Sequence, residues 1–307
     1  MSARRRTGLP RPLAAAAGIV LDRVGHEPPG AVHPVVLFGR AMTGVERGLY
    51  RDTRVAGVVH AATGAALGVG TGMALRSTSL ATGLAVAGRS LADAAGEIGS
   101  ALETGDLDRA RSLLPTMVGR DPDGLDAKEM ARAVVESVAE NTVDGVIAPA
   151  LWGGVAGAPG ALGFRAVNTL DSMVGHRSPR YANYGWASAR ADDVLAFIPA
   201  RLTAVLVGLV RPAAAGDVWR AVRTQAPAHP SPNSGVAEAA FAAALGLRLG
   251  GLSRYGGRAE LRPPLGTGRA AEPADIARAV KLSLDVGAGM AVGLGTVGAW
   301  QWMRRIR

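Results

Sequence analysis

The sequence predicts an all-α fold of the polytopic membrane class, a helical bundle whose polar helical and loop segments carry the chemistry. Three observations predict it. The apolar residues are mostly Ala, Val, Leu and Gly: 48% of residues are hydrophobic, 42 are glycine and only 4% are aromatic, a palette that lets helix backbones approach closely. Val55 to Leu75 runs for 21 residues without Asp, Glu, Lys or Arg, long enough as a helix to cross the hydrocarbon layer of a bilayer. The net charge of +9 is concentrated at the ends, in Arg4, Arg5, Arg6 and Arg11 and in Arg304, Arg305 and Arg307. Basic ends flanking apolar segments are topology signals attracted to a cytoplasmic leaflet.

The same numbers exclude other classes. A chain of 307 residues with this apolar content buries a sizeable core and is not intrinsically disordered. Its interior balances 27 basic against 25 acidic side chains, with no basic stripe and little aromatic interleaving, so no nucleic-acid partner is expected. Cysteine is absent, which removes disulfides, thiolate metal sites, iron–sulfur clusters and a cysteine nucleophile. Any metal must sit on oxygen or imidazole.

Taken in order, Leu13 to Leu21 is too short to cross alone and runs into Asp22 and Arg23. It lacks a convincing small-residue cleavage pattern and is expected to be retained. After Val55–Leu75, a second apolar run at Thr78–Gly88 continues into the helical pattern of Leu91, Ala94, Ala95 and Ile98, which predicts a helical hairpin with a weak second limb. Asp106, Arg109 and Arg111 belong to a helix broken at Pro115 and Gly119, and Asp126 with Glu129 three residues on reads as the N-cap of the next. Two apolar stretches are expected to be broken, re-entrant or packed within protein: Val146–Phe164, which holds Pro149, Pro159 and several glycines, and Val194–Val210, which holds Pro199 and Arg201. Pro/Ser/Gly-rich sequence at 225–235 and 253–273 reads as loops. Leu282 to Met303 carries one acid, Asp285, and ends in Trp300 and Trp302 beside arginines, an interfacial anchor. The whole, residues 1–307, is expected to form a single membrane-embedded domain.

Three polar clusters could carry chemistry. In RAVVESVAENTVD, residues 132–144, a continuous helix puts Glu136 and Glu140 on one face with Asn141 beside them and Asp144 a turn further. Such oxygens suit a magnesium ion that also grips phosphate, although an intrahelical Arg132–Glu136 ion pair accounts for the same spacing. Just upstream, Arg120 lies in a Gly119-Arg-Asp-Pro122 turn, where it can reach an anion bidentately or simply pair with Asp121 in solvent. The second cluster, residues 168–193, gathers Asn168, Asp171, Ser172, Arg177, Arg180, Arg190, Asp192 and Asp193 between apolar stretches, where charges are costly unless paired or ligand-bound. Asp192 and Asp193 point about 100° apart on a helix, so at most one of them shares a site with Asp171. In HPSPNSG, residues 229–235, Ser231, Asn233, Ser234 and Gly235 can bind an anion at a helix N-terminus or merely cap the helix. Familiar alternatives are missing. The two lysines, Lys128 and Lys281, lie outside any phosphate-binding glycine loop, and no nucleophile elbow, H-E-x-x-H or dinucleotide fingerprint occurs.

In sequence order the chain carries HPVVLFGR (33–40), VGRD (118–121), ESVAENTVDGVIAP (136–149), GAPG and NTLDSMVG (157–175), RY and GWASARADD (180–193), IPARL (198–202), SPNSG (231–235) and LGLRLGG (245–251). By these strings it resembles the CobD/CbiB family of cobalamin biosynthesis, membrane-associated adenosylcobinamide-phosphate synthases. It departs from the family pattern at GHEPP (25–29), where a Gly-Asp-Pro turn is usual, so position 26 supplies no Asp to the site, and at Pro122. The resemblance implies a multi-pass protein of the bacterial cytoplasmic membrane that joins adenosylcobyric acid to (R)-1-amino-2-propanol O-2-phosphate, consuming ATP with Mg2+. Its implied partners are the corrinoid, the aminopropanol phosphate, the lipid bilayer and other late cobalamin-assembly enzymes. On this reading Glu136, Glu140, Asp171 and Asp192 are the catalytic acids, and Glu140, Asp144 and Asp171 the metal ligands. Arg120, Asn141, Asn168, Ser172, Arg190, Arg201, Ser231 and Asn233 bind substrate. The rival readings are a membrane transporter for a corrinoid or another anion, and a scaffold that tethers corrinoid enzymes.

If the clusters form one site, they must meet on one membrane face, so neither Val146–Phe164 nor Val194–Val210 is expected to be a simple crossing. Cysteine introduced at positions 141 and 172 of this cysteine-free chain is then expected to label from the same side, and opposite sidedness defeats the shared-site reading.

Overall fold

Ala- and Leu-rich segments with few β-branched runs favour helix, and glycines spaced along one face let neighbouring helices close on each other. The computed structural model describes residues 8–25, 33–176, 178–255 and 258–307, with the backbone alone for Arg254, Tyr255 and Arg258. Arg4 to Arg6, residues 26–29 of the GHEPP departure and Arg177 lie outside the described residues. In chain order the helices are α1 (Arg11–Val24), α2 (Pro34–Leu49), α3 (Arg54–Leu75), α4 (Thr78–Ala85), α5 (Gly88–Glu103), α6 (Leu107–Leu113) and α7 (Ala127–Thr142). After a π-helical turn at Val143–Ile147 come α8 (Ala148–Ala156), α9 (Ala158–Val174), α10 (Trp186–Val210), α11 (Ala215–Thr224), α12 (Ser234–Leu245) and, after three strands, α13 (Ala274–Ile306). The strands are β1 (Leu247–Tyr255), β2 (Arg258–Leu265) and β3 (Arg269–Ala270), in the order β2-β1-β3, with β1 antiparallel to β2 and parallel to β3.

The contacts group the chain into two units. The first holds Met1–Val86, Pro149–Ser188 and Met290–Arg307. Its core is small-residue packing: Gly64, Gly68 and Gly72 of α3 are buried against α9, where a Cβ at Gly68 would lie 2.7 Å from the Leu162 carbonyl oxygen. The loop before α10 is tied down by Glu46 of α2, which accepts from Arg180 and from the Tyr181 hydroxyl, both at 3.0 Å. Buried Tyr184 packs on Tyr50 and His60 beneath it, and burial pushes its phenol up to about 12.

The second unit holds Ala87–Ala148 and Ala189–Gly289. Helices α7 and α12 form its interior, with Val134, Val135, Val138, Ala237, Ala240 and Phe241 all buried. Asp126 and Glu129 build the expected capping box on α7, and Thr142 at its far end donates to or accepts from Ser283 of α13 at 2.7 Å.

Among the described residues, three helices are long and apolar enough to cross a membrane: α3, α10 and α13. The Val146–Phe164 stretch is broken as expected, at Gly157, whose φ of 74° starts a new helix. Val194–Val210 is not broken. It lies inside the continuous α10, because one proline removes a single backbone hydrogen bond and leaves the rest of the ladder intact. The helical hairpin is also shorter than expected, since α4 ends at Ala85 and the extended Val86 separates it from α5.

The all-α expectation is corrected by the small sheet, which replaces much of the loop expected at 253–273. A bulge at Gly250–Gly251, with φ of 81° and 94°, shifts the register and interrupts the alternation that marks a strand. Pro263 and Pro264 are tolerated because β2 is an edge strand.

Gly68→Leu is expected to lower stability by about 1–3 kcal/mol through overpacking. Gly70→Ala, on the same helix but with nothing within 4 Å of its Cβ position, is expected to be neutral or stabilising. Thermal unfolding of the two purified variants in detergent distinguishes them.

Candidate functional site

The α7 helix places Glu136 and Glu140 one turn apart, and the second unit builds its polar interior on them. Glu136 is buried between two partners: Arg120 donates to one carboxylate oxygen, and the Gly250 amide donates to the other at 2.7 Å. Arg132 does not pair with Glu136. Its guanidinium reaches β1, donating to the Gly250 carbonyl and to the Leu252 carbonyl at 2.7 Å. The glycine bulge is thus held to α7 from both its amide and its carbonyl. Arg120, expected to face a phosphate or corrin carboxylate, is buried with its charge turned to Glu136.

Beside this clamp lies an acid that sequence reasoning missed. Glu238 of α12 is 0% exposed, and neither of its oxygens receives a hydrogen bond from a protein donor. Its neighbours are His229, with Nε2 at 3.5 Å, and Arg262 of β2, with Nη1 at 3.9 Å. Burial pushes the Glu238 carboxyl well above the usual range, and the charges of Glu140 and Glu136 push it the same way. His229 is lowered, chiefly by burial, and stays neutral. Its Nδ1 lies 3.1 Å from the Ser231 amide and 3.2 Å from the Ser231 carbonyl, so that backbone accommodates either tautomer.

The HPSPNSG segment is chiefly a cap. Ser231 Oγ accepts from the Asn233 and Ser234 amides at 3.3 and 3.2 Å, opening α12. Asn233 instead turns to α10, accepting from Arg201 at 2.8 Å and donating to the Asp193 carbonyl at 2.8 Å. Arg201 also lies over the Phe197 ring, 3.6 Å from its centroid. Arg190 is exposed and pairs with Asp193 at 3.4 Å, while Asp192 is buried. Asn141 is exposed, with its amide donating to the Ser137 carbonyl at 2.9 Å. Asp144 is carried off the regular α7 register by the π-helical turn. Asn168, Asp171 and Ser172 lie on α9 in the first unit, Asn168 buried and Ser172 exposed.

Among the described residues, no group of three or more His, Asp or Glu side chains could hold a metal ion. Glu136 is engaged by Arg120 and Gly250, and burial favours the protonated form of Glu238, so neither offers a free carboxylate to a magnesium ion. A groove of about 710 Å³ opens over the clamp, lined by Lys128, Arg132, Arg248, Gly250, Gly251 and Arg262 among others. No local motif announces Glu238 or His229. The one available signal was a lone acid in the apolar run Val236–Leu245, which costs energy unless it has work to do.

These features define a predominantly helical protein with membrane-length helices and a buried carboxylate–histidine cluster beneath a cationic groove. The CobD/Cbib protein family model matches residues 15–283, and the chain belongs to that family. It is 48% identical over 295 residues to the cobalamin biosynthesis protein CobD of Mycobacterium tuberculosis, covering 92% of this chain and 94% of that one. It is 44% identical to the protein of the same name from Geobacter metallireducens, covering 81% of this chain and 84% of that one. No solved structure matches.

A carboxyl whose pKa is raised by folding takes up a proton on folding, so stability is full below the ordinary carboxylate range and is lost as pH rises through the raised value. His229 has the opposite sign, its contribution being lost as pH falls below the ordinary imidazole value. Glu238→Gln is therefore expected to flatten the alkaline side of the stability profile and His229→Gln the acid side, read as melting temperatures between about pH 5 and 9.

Proposed function

We propose that the protein is an ATP-dependent amide ligase of cobalamin biosynthesis at the bacterial cytoplasmic membrane. It joins adenosylcobyric acid to (R)-1-amino-2-propanol O-2-phosphate to give adenosylcobinamide phosphate. The observation that carries the reading is the buried Glu238–His229 pair beside Glu140, in a chain whose relatives are named for cobalamin biosynthesis.

A carboxylate is a poor acyl donor. In the proposed sequence its oxygen attacks the γ-phosphorus of ATP, ADP leaves, and an acyl phosphate forms. The amine arrives as an ammonium and must lose a proton before its nitrogen can attack the acyl carbon. His229, neutral through burial, accepts that proton, with Glu238 beside it to hold the ring in place. The C–N bond then forms, the C–O bond to phosphate breaks, and phosphate departs carrying the second proton lost by the nitrogen. Cationic side chains stabilise the charge that builds on phosphate oxygens.

Arg120 and Glu136 act as positioning residues that hold the Gly250 turn against α7. Arg201, Ser231 and Asn233 set the entrance to α12. Within the second unit, Asn141, Asp144, Arg190 and Asp192 stay in the proposal as substrate contacts. Magnesium enters as the counter-ion of ATP, and no step is assigned to a resident ion.

Purified protein is expected to form product only with corrinoid, amine and MgATP together, and Glu238→Gln or His229→Gln to lower kcat by about a hundredfold or more. Uptake of corrinoid into vesicles without product formation would favour transport, and neither activity would favour a scaffold.

A further inference from the structure

Within the first unit, the last turns of α13 meet the start of α1 and the end of α8. The helices close there through glycine: Leu294 of α13 packs on Gly154 of α8, and Gly298 packs on Leu13 of α1. The face of α13 that makes those contacts continues in steps of three and four residues through Gln301 to Arg305. It carries both side chains to the point where α1 begins. There a pocket of about 260 Å³ is lined by Arg11, Pro12, Gly154, Val155, Gln301 and Arg305.

The pocket is cationic. No carboxylate lines it, and among the described residues neither Arg11 nor Arg305 forms an ion pair. The next acid along α1 is Asp22, about 16 Å from Arg11 at helical rise, and the acid preceding Arg305 on α13 is Asp285, about 30 Å back. Arg11 donates from Nη1 to the uncharged Val155 carbonyl at 3.1 Å, and Arg305 is exposed. The start of α1 adds the positive end of a helix that has no acid in its first turn and no side-chain cap.

The pocket also lies at the end of a membrane-length helix. Val286 to Met303 of α13 runs without a charged residue, and Trp300 and Trp302 close that run exposed, with Arg304 over the Trp300 ring at 3.7 Å from its centroid. Tryptophan beside arginine at the end of an apolar helix marks the headgroup level of a bilayer. Val155 on the pocket wall and Leu9, two residues before Arg11, are both more than half exposed. Two guanidiniums with bare apolar side chains beside them suit a ligand that is itself amphipathic.

We infer that this pocket holds the headgroup phosphate of an anionic phospholipid in the leaflet where α13 ends, gripped by Arg11 and Arg305, with the acyl chains against Val155 and Leu9. The inference rests on α13 crossing the bilayer and is independent of the ligase chemistry. The volume falls short of the roughly 300–1,000 Å³ of cofactor-sized sites, which suits a headgroup better than a nucleotide. Free phosphate offers the same oxygens without the acyl chains, and the test separates the two.

Full-length protein in detergent is titrated with phosphatidylglycerol and, separately, with phosphatidylcholine, and retained lipid is counted by native mass spectrometry for wild type, Arg305→Ala, Arg305→Lys and Arg307→Ala. The wild type is expected to retain phosphatidylglycerol in preference to phosphatidylcholine. Arg305→Ala is expected to weaken phosphatidylglycerol about fivefold and Arg305→Lys to recover part of that loss, with melting temperatures unchanged. Arg307→Ala, which removes the same charge from the same end but not from the pocket, is expected to change it by less than about twofold. Equal losses in Arg305→Ala and Arg307→Ala would show diffuse attraction to a basic end and overturn the site. Equal retention of the two lipids by the wild type overturns it as well. Displacement of phosphatidylglycerol by millimolar inorganic phosphate would assign the pocket to a small anion and overturn the lipid.

Discussion

The second unit depends on the buried carboxylate of Glu136. A buried carboxylate survives only with compensating partners, and Glu136 has a guanidinium on one oxygen and a backbone amide on the other. That amide belongs to Gly250, so a single acid joins the segment before α7, α7 itself and the bulged strand β1. Arg132 completes the join through the carbonyls of Gly250 and Leu252. Removing one partner of such a buried pair typically costs about 3–5 kcal/mol, because the survivor is left charged and alone.

With Glu136 compensated, the electrostatic burden falls on Glu140 and Glu238. Glu238 has no protein donor and lies among other acids, so burial and its neighbours both favour the protonated form. Arg262 lies 3.9 Å from Glu238 and 3.8 Å from Glu260, and Arg132 spends its hydrogen bonds on neutral carbonyls. Perturbed groups next to a cavity are the pattern that catalytic sites produce.

The first unit solves a different problem. Its helices carry little but Ala, Gly, Val and Leu, so their association rests on close backbone approach and van der Waals contact. Gly64, Gly68 and Gly72 provide that approach on α3, and Glu46 fastens the loop before α10 through Arg180 and Tyr181.

Much of this was legible in the linear chain. Charge-free runs give helices of membrane length, Asp126 and Glu129 declare a capping box, and Gly157 with Pro159 marks a break, because each of these signals acts within a few residues. The family resemblance was legible too, in strings such as ESVAENTVDGVIAP. The partners of those residues were not. Arg132 stands one helical turn from Glu136 and bonds to Gly250 and Leu252 instead; Arg120 finds Glu136 across sixteen positions; Glu238 and His229 meet through a turn that local pattern reads only as a cap. Local sequence determines where a helix starts and which face is apolar, since those depend on neighbouring backbone groups. Which acid is compensated, which is pushed towards its protonated form and which arginine is left facing the groove depend on distances between segments far apart in the chain, and only the tertiary structure decides them.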